Sequence, residues 1–204
     1  SNSKIMLDNK ISDVDVFGYI LNDVEGAKEF IYNNGINVLV NNAGIYNYSA
    51  LVDEDENVVR NIIRTNVEAP IILSKYVLKY MKSKKWGRII NIGSISGVLG
   101  EACASMYSAT KASLIGMTKA LALELAQDNI TINTINPGWV DTELGETSIE
   151  ASEFEKEEIL ECIPQKRFVE PVEIANLIKY LISEEAKGIT GQSINLCAGL
   201  SVGF

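Results

Sequence analysis

The chain has 204 residues, of which 47% are hydrophobic and 22% are charged, and it contains no histidine. This size and composition are typical of one globular domain with a sizeable core. The lack of histidine excludes Ser-His-Asp and Cys-His catalysis and any His-ligated metal site. Acid–base chemistry would therefore depend on Tyr, Lys, Asp, Glu or Cys, and we expect no bound metal.

The net charge of −9 argues against a nucleic-acid partner, because such proteins need a basic surface. Residues 141–161 hold nine acidic residues and one lysine, and a run of this kind is most often a solvated helix face. The three cysteines are far apart in sequence, which fits a reducing compartment. With no signal peptide and no membrane-spanning segment in the sequence, we expect a cytoplasmic location and no membrane partner.

Hydrophobic patterning predicts strands and helices in alternation along the chain. Strands are predicted at residues 14–21, 36–40, 88–92, 130–135 and 192–196, and helices at 24–34, 53–82, 105–127, 150–162 and 172–183. The strands are apolar on both faces, which is typical of a parallel sheet covered by helices on both sides. No linker or repeat divides the chain, so residues 1–204 are interpreted as one α/β domain.

Glycines and small polar residues follow several predicted strands, where ligands of open α/β sheets bind. The segments are Asn41-Asn42-Ala43-Gly44, Gly93-Ser94, Pro137-Gly138-Trp139 and Leu196-Cys197-Ala198-Gly199. Each glycine alone is most simply a turn residue. Their repetition at one edge of the sheet instead favours a flat ligand lying close to the backbone.

Tyr107 and Lys111 are four residues apart in a predicted helix, so their side chains share one face. An ammonium beside a phenol is expected to lower the phenol pKa from about 10, which would make Tyr107 a usable acid–base group. The spacing alone is weak evidence. Tyr80 and Lys84 repeat it at a basic helix end, where the lysines complement the helix dipole.

Pro70 lies inside a long helical pattern and has no N–H to donate to the carbonyl of Asn66. A free carbonyl beside a polar side chain can hold a water molecule. A simple proline kink is the more common explanation of such a residue.

Together these features resemble the short-chain dehydrogenase/reductase family. The matching elements, in the family's order, are Asn41 to Gly44, Asn66, Ser94, Tyr107-x-x-x-Lys111 and Pro137 to Thr142. The resemblance implies a Rossmann-like, doubly wound parallel sheet in three α/β/α layers. It also implies an oxidoreductase that moves a hydride between a carbonyl carbon and NADP or NAD, with NADPH slightly favoured.

The same resemblance implies a role for each matched residue. Tyr107 would exchange a proton with the substrate oxygen, Ser94 would hydrogen-bond that oxygen, and Lys111 would hold the nicotinamide ribose and lower the Tyr107 pKa. Asn66 would bind a relay water through its carbonyl. The remaining residues would contact the cofactor, at the adenosine ribose (Asn41, Ala43, Gly44) and at the nicotinamide (Pro137, Gly138, Val140, Thr142).

Within the family, residues 87–100 and 189–200 are most similar to 3-oxoacyl-carrier-protein reductases, which implies an acyl-thioester substrate. The acidic segment 141–161 departs from that subgroup, since it would repel an acidic carrier protein. A small neutral ketone, alcohol or sugar therefore remains an alternative substrate. The family also implies a homodimer or homotetramer, formed through the helices that contain Asn66 and Tyr107.

The family begins with a TGxxxGIG turn that binds the cofactor pyrophosphate, and this sequence contains no such turn. About 45 residues and the first two strands of the family's sheet would be missing. Three explanations follow: the sequence is a fragment, residues 4–7 form a substitute strand, or the protein no longer binds a dinucleotide. The last would make it a non-catalytic interaction module, although such a protein would have no chemical reason to keep Asn66, Ser94, Tyr107 and Lys111.

Overall fold

The computed structural model describes residues 24–152 and 154–202, and four parallel strands form its centre. The strands are β1 (Val38–Asn41), β2 (Gly87–Ile92), β3 (Ile130–Pro137) and β4 (Ser193–Leu196), and they lie side by side in that order. Asn41 pairs with Asn91, Ile92 with Ile135, and Pro137 with Leu196. Because all four strands are parallel, their carboxyl ends meet at one edge of the sheet.

Eight α-helices connect and cover these strands within the described residues. They are α1 (Val24–Asn34), α2 (Glu56–Ile63), α3 (Ala69–Lys84), α4 (Ser96–Leu99), α5 (Ser105–Leu125), α6 (Glu143–Ala151), α7 (Lys156–Cys162) and α8 (Pro171–Leu181). Short 3₁₀ turns lie at Leu51–Asp53, Ala126–Asp128 and Glu184–Ala186. In the part of the chain described here, none of the helices combines the length and hydrophobicity that a bilayer-spanning segment requires.

Two apolar clusters hold helices against opposite faces of the sheet. On one face, α1, α3 and α5 pack against β2 and β3 through Ile31, Val77, Met81, Ile89, Leu125, Ile130 and Ile132. On the other, α8 packs through Leu181 against Ile90, Ile92 and Ile135. Each fully buried isoleucine or leucine stabilises the fold by about 1.5–3 kcal/mol. The predicted three-layer α/β/α arrangement, Rossmann-like and parallel, is confirmed for these residues.

The long helix predicted over residues 53–82 is wrong in its continuity. The structure has α2, then a π-helical turn at Arg64–Glu68, then α3 with Pro70 at its start. Proline cannot donate the hydrogen bond that would continue an α-helix through this point, and the wider turn accommodates the missing bond. Asn66 lies inside that π turn.

The single helix predicted at residues 150–162 is also wrong, because the structure contains two. Helix α6 begins earlier, where the Thr142 hydroxyl accepts from the Gly145 N–H at 3.2 Å, and ends before Ser152. Helix α7 begins at its own capping box, in which Glu155 and Glu158 exchange side-chain and backbone hydrogen bonds. The strand predicted at residues 14–21 lies outside the described residues.

Candidate active site

A cleft of about 1700 Å³ opens at the carboxyl edge of the sheet. All the predicted site residues except Asn66 line it: Asn41, Ala43, Gly44, Ser94, Tyr107, Lys111, Pro137, Gly138, Val140 and Thr142. Residues spread over a hundred positions of sequence are thus brought to one surface by the parallel order of the strands.

Lys111 is buried beneath the floor of this cleft, with 4% of its surface exposed. Its Nζ donates to the carbonyl of Ile92 at 2.8 Å and lies 5.6 Å from the centre of the Tyr107 ring. Burial lowers the pKa of the ammonium to about 8. An ammonium carries three N–H donors, so two remain for ligands beyond the bond to Ile92.

Tyr107 is partly buried, and its ring packs edge-on against Tyr46 with centroids 4.9 Å apart. Burial raises its pKa to about 12; a hydrogen bond from Ser94 opposes the rise and the charge of Glu101 adds to it. Lys111 is not among the causes of this shift, and its lowering of the Tyr107 pKa stays a prediction.

Ser94 lies two residues after the end of β2 and is 9% exposed. Its Oγ accepts from the Ser96 N–H at 3.1 Å and lies 3.2 Å from the Ser96 hydroxyl oxygen. The flanking backbone is fixed to β3, because Gly93 N–H donates to the Ile135 carbonyl at 2.7 Å and Ile95 N–H to the Pro137 carbonyl at 2.8 Å. The hydroxyl therefore projects from a continuation of the sheet.

Asn66 lies behind the cleft wall with 1% of its surface exposed. Its side chain accepts from the Ile45 N–H at 2.9 Å and donates to the Ile45 carbonyl at 2.9 Å and to the Thr110 hydroxyl at 3.1 Å. These bonds fix the loop after β1 to α5, which carries Tyr107 and Lys111. The relay-water role of its carbonyl stays a prediction.

Two glycines permit the close approach of Lys111 to its surroundings. A Cβ on Gly44 would lie 3.1 Å from Lys111 Nζ, and a Cβ on Gly97 would lie 2.8 Å from the backbone of Lys111 and of Ala112. The second distance is shorter than a Cβ contact allows, so α4 and α5 meet through their backbones at Gly97.

The remaining predicted cofactor residues are held by backbone and side-chain bonds. Asn41 donates to Asn91 Oδ1 at 2.7 Å, and Gly138 N–H donates to the Leu196 carbonyl at 3.0 Å. Val140 forms a parallel bridge with Val169, and Thr142 caps α6. Each strand end is thereby fixed at the cleft rim.

Sequence reasoning missed three residues of this site: Tyr46, Ser96 and Glu101. The Glu101 carboxylate accepts from the Tyr46 hydroxyl at 2.8 Å and from the Ser96 hydroxyl at 2.7 Å. All three line the cleft. No local pattern marks them, since they come from three different segments and meet only in the folded chain.

The donor set fits the nicotinamide-ribose half of a dinucleotide. Lys111 offers spare N–H donors to ribose hydroxyls, and Gly44 leaves open the space beside its Nζ. The sequence holds no TGxxxGIG turn for the pyrophosphate half.

Comparison with known proteins gives a consistent result. A family profile described as enoyl-(acyl carrier protein) reductase matches residues 20–201. The chain is 38% identical over 199 residues to the 3-oxoacyl-[acyl-carrier-protein] reductase FabG of Buchnera aphidicola, covering 94% of this chain and 80% of that protein. It is 38% identical over 184 residues to FabG of Aquifex aeolicus, covering 87% and 71%.

Among solved structures, "ElxO with NADP Bound" superposes with a TM-score of 0.81 at 31% identity, covering 90% of this chain and 77% of that one. The profile's range spans most of the chain and includes the residues of the cleft described above. The chain belongs to the short-chain dehydrogenase/reductase family.

Proposed function

We propose that this chain is an NAD(P)-dependent oxidoreductase that reduces the 3-oxo group of an acyl thioester to an alcohol, with NADPH preferred over NADH. The observation that carries the proposal is the meeting of Ser94, Tyr107 and Lys111 in one cleft. Relatives named as 3-oxoacyl-carrier-protein reductases support the substrate class. The NADP-bound structural relative supports the cofactor.

The side chains supply the proton chemistry of this reaction. Bound NADPH would supply the hydride to the carbonyl carbon. Tyr107, with a pKa of about 12, is protonated throughout the neutral range and so holds the proton that the carbonyl oxygen receives. Ser94 donates a hydrogen bond to the same oxygen and orients it toward the phenol.

Lys111 and Asn66 support the reaction without contacting the substrate oxygen. Lys111 holds the ribose hydroxyls with its free N–H donors, and a water on the Asn66 carbonyl returns a proton from solvent after each turnover. The other cofactor contacts fall on residues at the strand ends, with Asn41, Ala43 and Gly44 at the adenosine ribose and Pro137, Gly138, Val140 and Thr142 at the nicotinamide.

A second candidate substrate is a small neutral ketone. The observation that favours it is the acidic segment 141–161, from which Glu143 and Glu158 line the cleft. Their carboxylates would repel an acidic carrier protein or the phosphates of coenzyme A.

The test measures oxidation of NADPH and of NADH with four substrates: an acetoacetyl thioester of N-acetylcysteamine, acetoacetyl-CoA, an acetoacetyl carrier protein and a neutral ketone of similar size. We expect turnover of the thioesters, fastest with NADPH. Turnover of the ketone alone would contradict the acyl-thioester proposal. If cofactor fluorescence shows no saturable binding of NADPH or NADH, the proposal that this chain is an enzyme is contradicted and a non-catalytic interaction module is favoured.

We also propose that the protein is a homodimer or homotetramer in a reducing, cytoplasmic compartment. Ile63 near the π turn, Ile71 on α3 and Leu123 on α5 expose apolar side chains that a second copy would cover. The three cysteines are free thiols. Light scattering on the purified chain measures the assembly; a monomer at micromolar concentration would contradict it.

A further inference from the structure

Glu101 places a carboxylate in the wall of the cleft, between α4 and α5. Both of its oxygens are engaged: Oε1 accepts from Tyr46 at 2.8 Å and Oε2 accepts from Ser96 at 2.7 Å. Within the described residues no lysine or arginine forms an ion pair with it. Two hydroxyl groups, those of Tyr46 and Ser96, therefore donate to the carboxylate.

The two partners of Glu101 are the neighbours of the reacting groups. The Tyr46 ring packs against the Tyr107 ring with centroids 4.9 Å apart and planes at 79°. Ser96 binds Ser94 twice, through its backbone N–H at 3.1 Å and its hydroxyl at 3.2 Å. Glu101 thus joins the loop after β1, through Tyr46, to the start of α4, through Ser96.

We propose that Glu101 is a positioning residue of this active site, whose carboxylate fixes Tyr46 and Ser96 against Tyr107 and Ser94 and keeps a negative charge beside the phenol. As far as it concerns turnover, this inference rests on the proposed function. Its effect on the Tyr107 phenol does not, because protonation of Tyr107 can be followed without substrate.

The groups that face Tyr107 come from each neighbouring segment. They are Lys111 on its own helix, Tyr46 from the loop after β1, Ser94 from the loop after β2, and Glu101. Of these, the Glu101 charge favours the protonated phenol, and it also raises the pKa of Tyr46. Glu101 therefore favours the form of Tyr107 that donates a proton, which is the form that carbonyl reduction requires.

Three variants separate the charge of Glu101 from its geometry. Glu101→Gln keeps the size and one of the two acceptor oxygens but removes the charge, and its amide nitrogen can donate to the second hydroxyl. Glu101→Asp keeps the charge but is one methylene too short to span Tyr46 and Ser96 together. Glu29→Gln makes the same charge change on an exposed face of α1, and serves as the control.

The first measurement is the pH profile of kcat/KM for alcohol oxidation, which needs the ionised phenol. For Glu101→Gln we expect the rising limb of the profile, followed up to pH 10, to move about one unit toward lower pH, since removing a like charge makes ionisation easier. For Glu101→Asp we expect the rising limb to stay and kcat to fall about tenfold with little change in KM, because the reacting groups are misplaced. Glu29→Gln should match the wild type.

The second measurement needs no turnover. Protein labelled with 3-fluorotyrosine is titrated by ¹⁹F NMR, and the signals of residues 46 and 107 are assigned with Tyr46→Phe and Tyr107→Phe. We expect both signals to titrate at lower pH in Glu101→Gln, while the signal of Tyr180 on α8 does not move. If the signals of residues 46 and 107 titrate at the same pH in the wild type and in Glu101→Gln, the proposed role of Glu101 is overturned. If they shift as expected but the wild-type protein shows no turnover, only the proposed function is contradicted.

Discussion

The two regions that border the cleft are built in opposite ways. At the carboxyl edge of the sheet, Asn66, Ser94 and Lys111 are each at most 9% exposed, and the side chain of each forms a hydrogen bond within the protein. In the acidic segment 141–161, every acidic residue that the structure describes is exposed. One of them, Glu161, forms an ion pair, with Lys166 at 2.9 Å.

This contrast separates two physical regimes within a single site. Buried polar groups interact strongly at short range and depend on geometry, so they set the chemistry. Exposed charges interact weakly in pairs but sum into a long-range field that salt screens, so they influence which substrates approach. We therefore expect substitutions at the buried edge to change kcat or the free energy of unfolding, and substitutions in the acidic segment to change kcat/KM in a way that depends on salt.

The largest effect is expected from Tyr107→Phe, which removes the proton donor while keeping the ring. We expect kcat to fall about 1000-fold, within the range of a lost general acid, while the fluorescence-measured cofactor affinity stays within a few-fold. Tyr180→Phe, an exposed tyrosine on α8, is the control. An equal fall in kcat in Tyr107→Phe and Tyr180→Phe would show that Tyr107 is not the proton donor.

The pH dependence of stability should report the burial of Lys111. Its folded pKa of about 8 lies below the ordinary lysine value of 10.5. Between those two pH values the unfolded chain binds the extra proton, so stability rises with pH, by about 3 kcal/mol over the window. Urea unfolding at pH 7.5 and pH 10 should show this gain in the wild type and not in Lys111→Met.

Lys119→Met, exposed on the same helix, should retain the gain. Measurements stop at pH 10 because Tyr107, with its raised pKa, lowers stability above that point. A wild-type curve parallel to that of Lys111→Met would show that Lys111 is not buried in solution.

A smaller effect, on stability, is expected from Asn66→Ala, which removes three hydrogen bonds of a buried side chain. We expect the free energy of unfolding to fall by about 2 kcal/mol, the cost of leaving the Ile45 backbone groups unpaired. Asn61→Ala, exposed on α2, should cost little. If denaturant midpoints of the two variants coincide, the bonds of Asn66 do not hold the loop after β1.

The smallest effect is expected in the acidic segment. Changing Glu146, Glu150 and Glu157 together to glutamine should raise kcat/KM for acetoacetyl-CoA about fivefold at low ionic strength. The gain should shrink in about 0.5 M salt, and be absent with the uncharged N-acetylcysteamine thioester. The free energy of unfolding should change by less than about 0.5 kcal/mol; a larger loss would show that these acids are structural.

Sequence patterns predicted the sheet better than the helices beside the cleft. Strands β2 and β3 are runs rich in isoleucine, and both are predicted to within two residues of their observed ends. Helix α6 was missed in its first turns because Gly145 and its acidic neighbours resemble a loop. Its start depends on the Thr142 cap, and the start of α7 depends on the Glu155–Glu158 capping box; both are sequence signals, but weak ones.

The catalytic residues illustrate why spacing alone does not define a site. Tyr80 and Lys84 share the spacing of Tyr107 and Lys111, and their ring-to-ammonium distance of 5.5 Å is nearly the same as 5.6 Å. The pairs differ in burial, since Lys84 is exposed and Lys111 is not. Burial is a tertiary property, and so is the meeting of Glu101 with Tyr46, which no local pattern encodes.

The contact at Gly97 has a consequence for how freely this site can diverge in sequence. A Cβ at residue 97 would lie 2.8 Å from the backbone of α5, so the distance between the Ser94 loop and the Lys111 helix depends on the absence of a side chain there. A single added methyl group would shift the whole helix, and a displacement of about 1 Å is enough to reduce a rate a hundredfold. Gly97 therefore sets the distance between the Ser94 loop and the helix that carries Tyr107 and Lys111, although it contributes no side chain to the site.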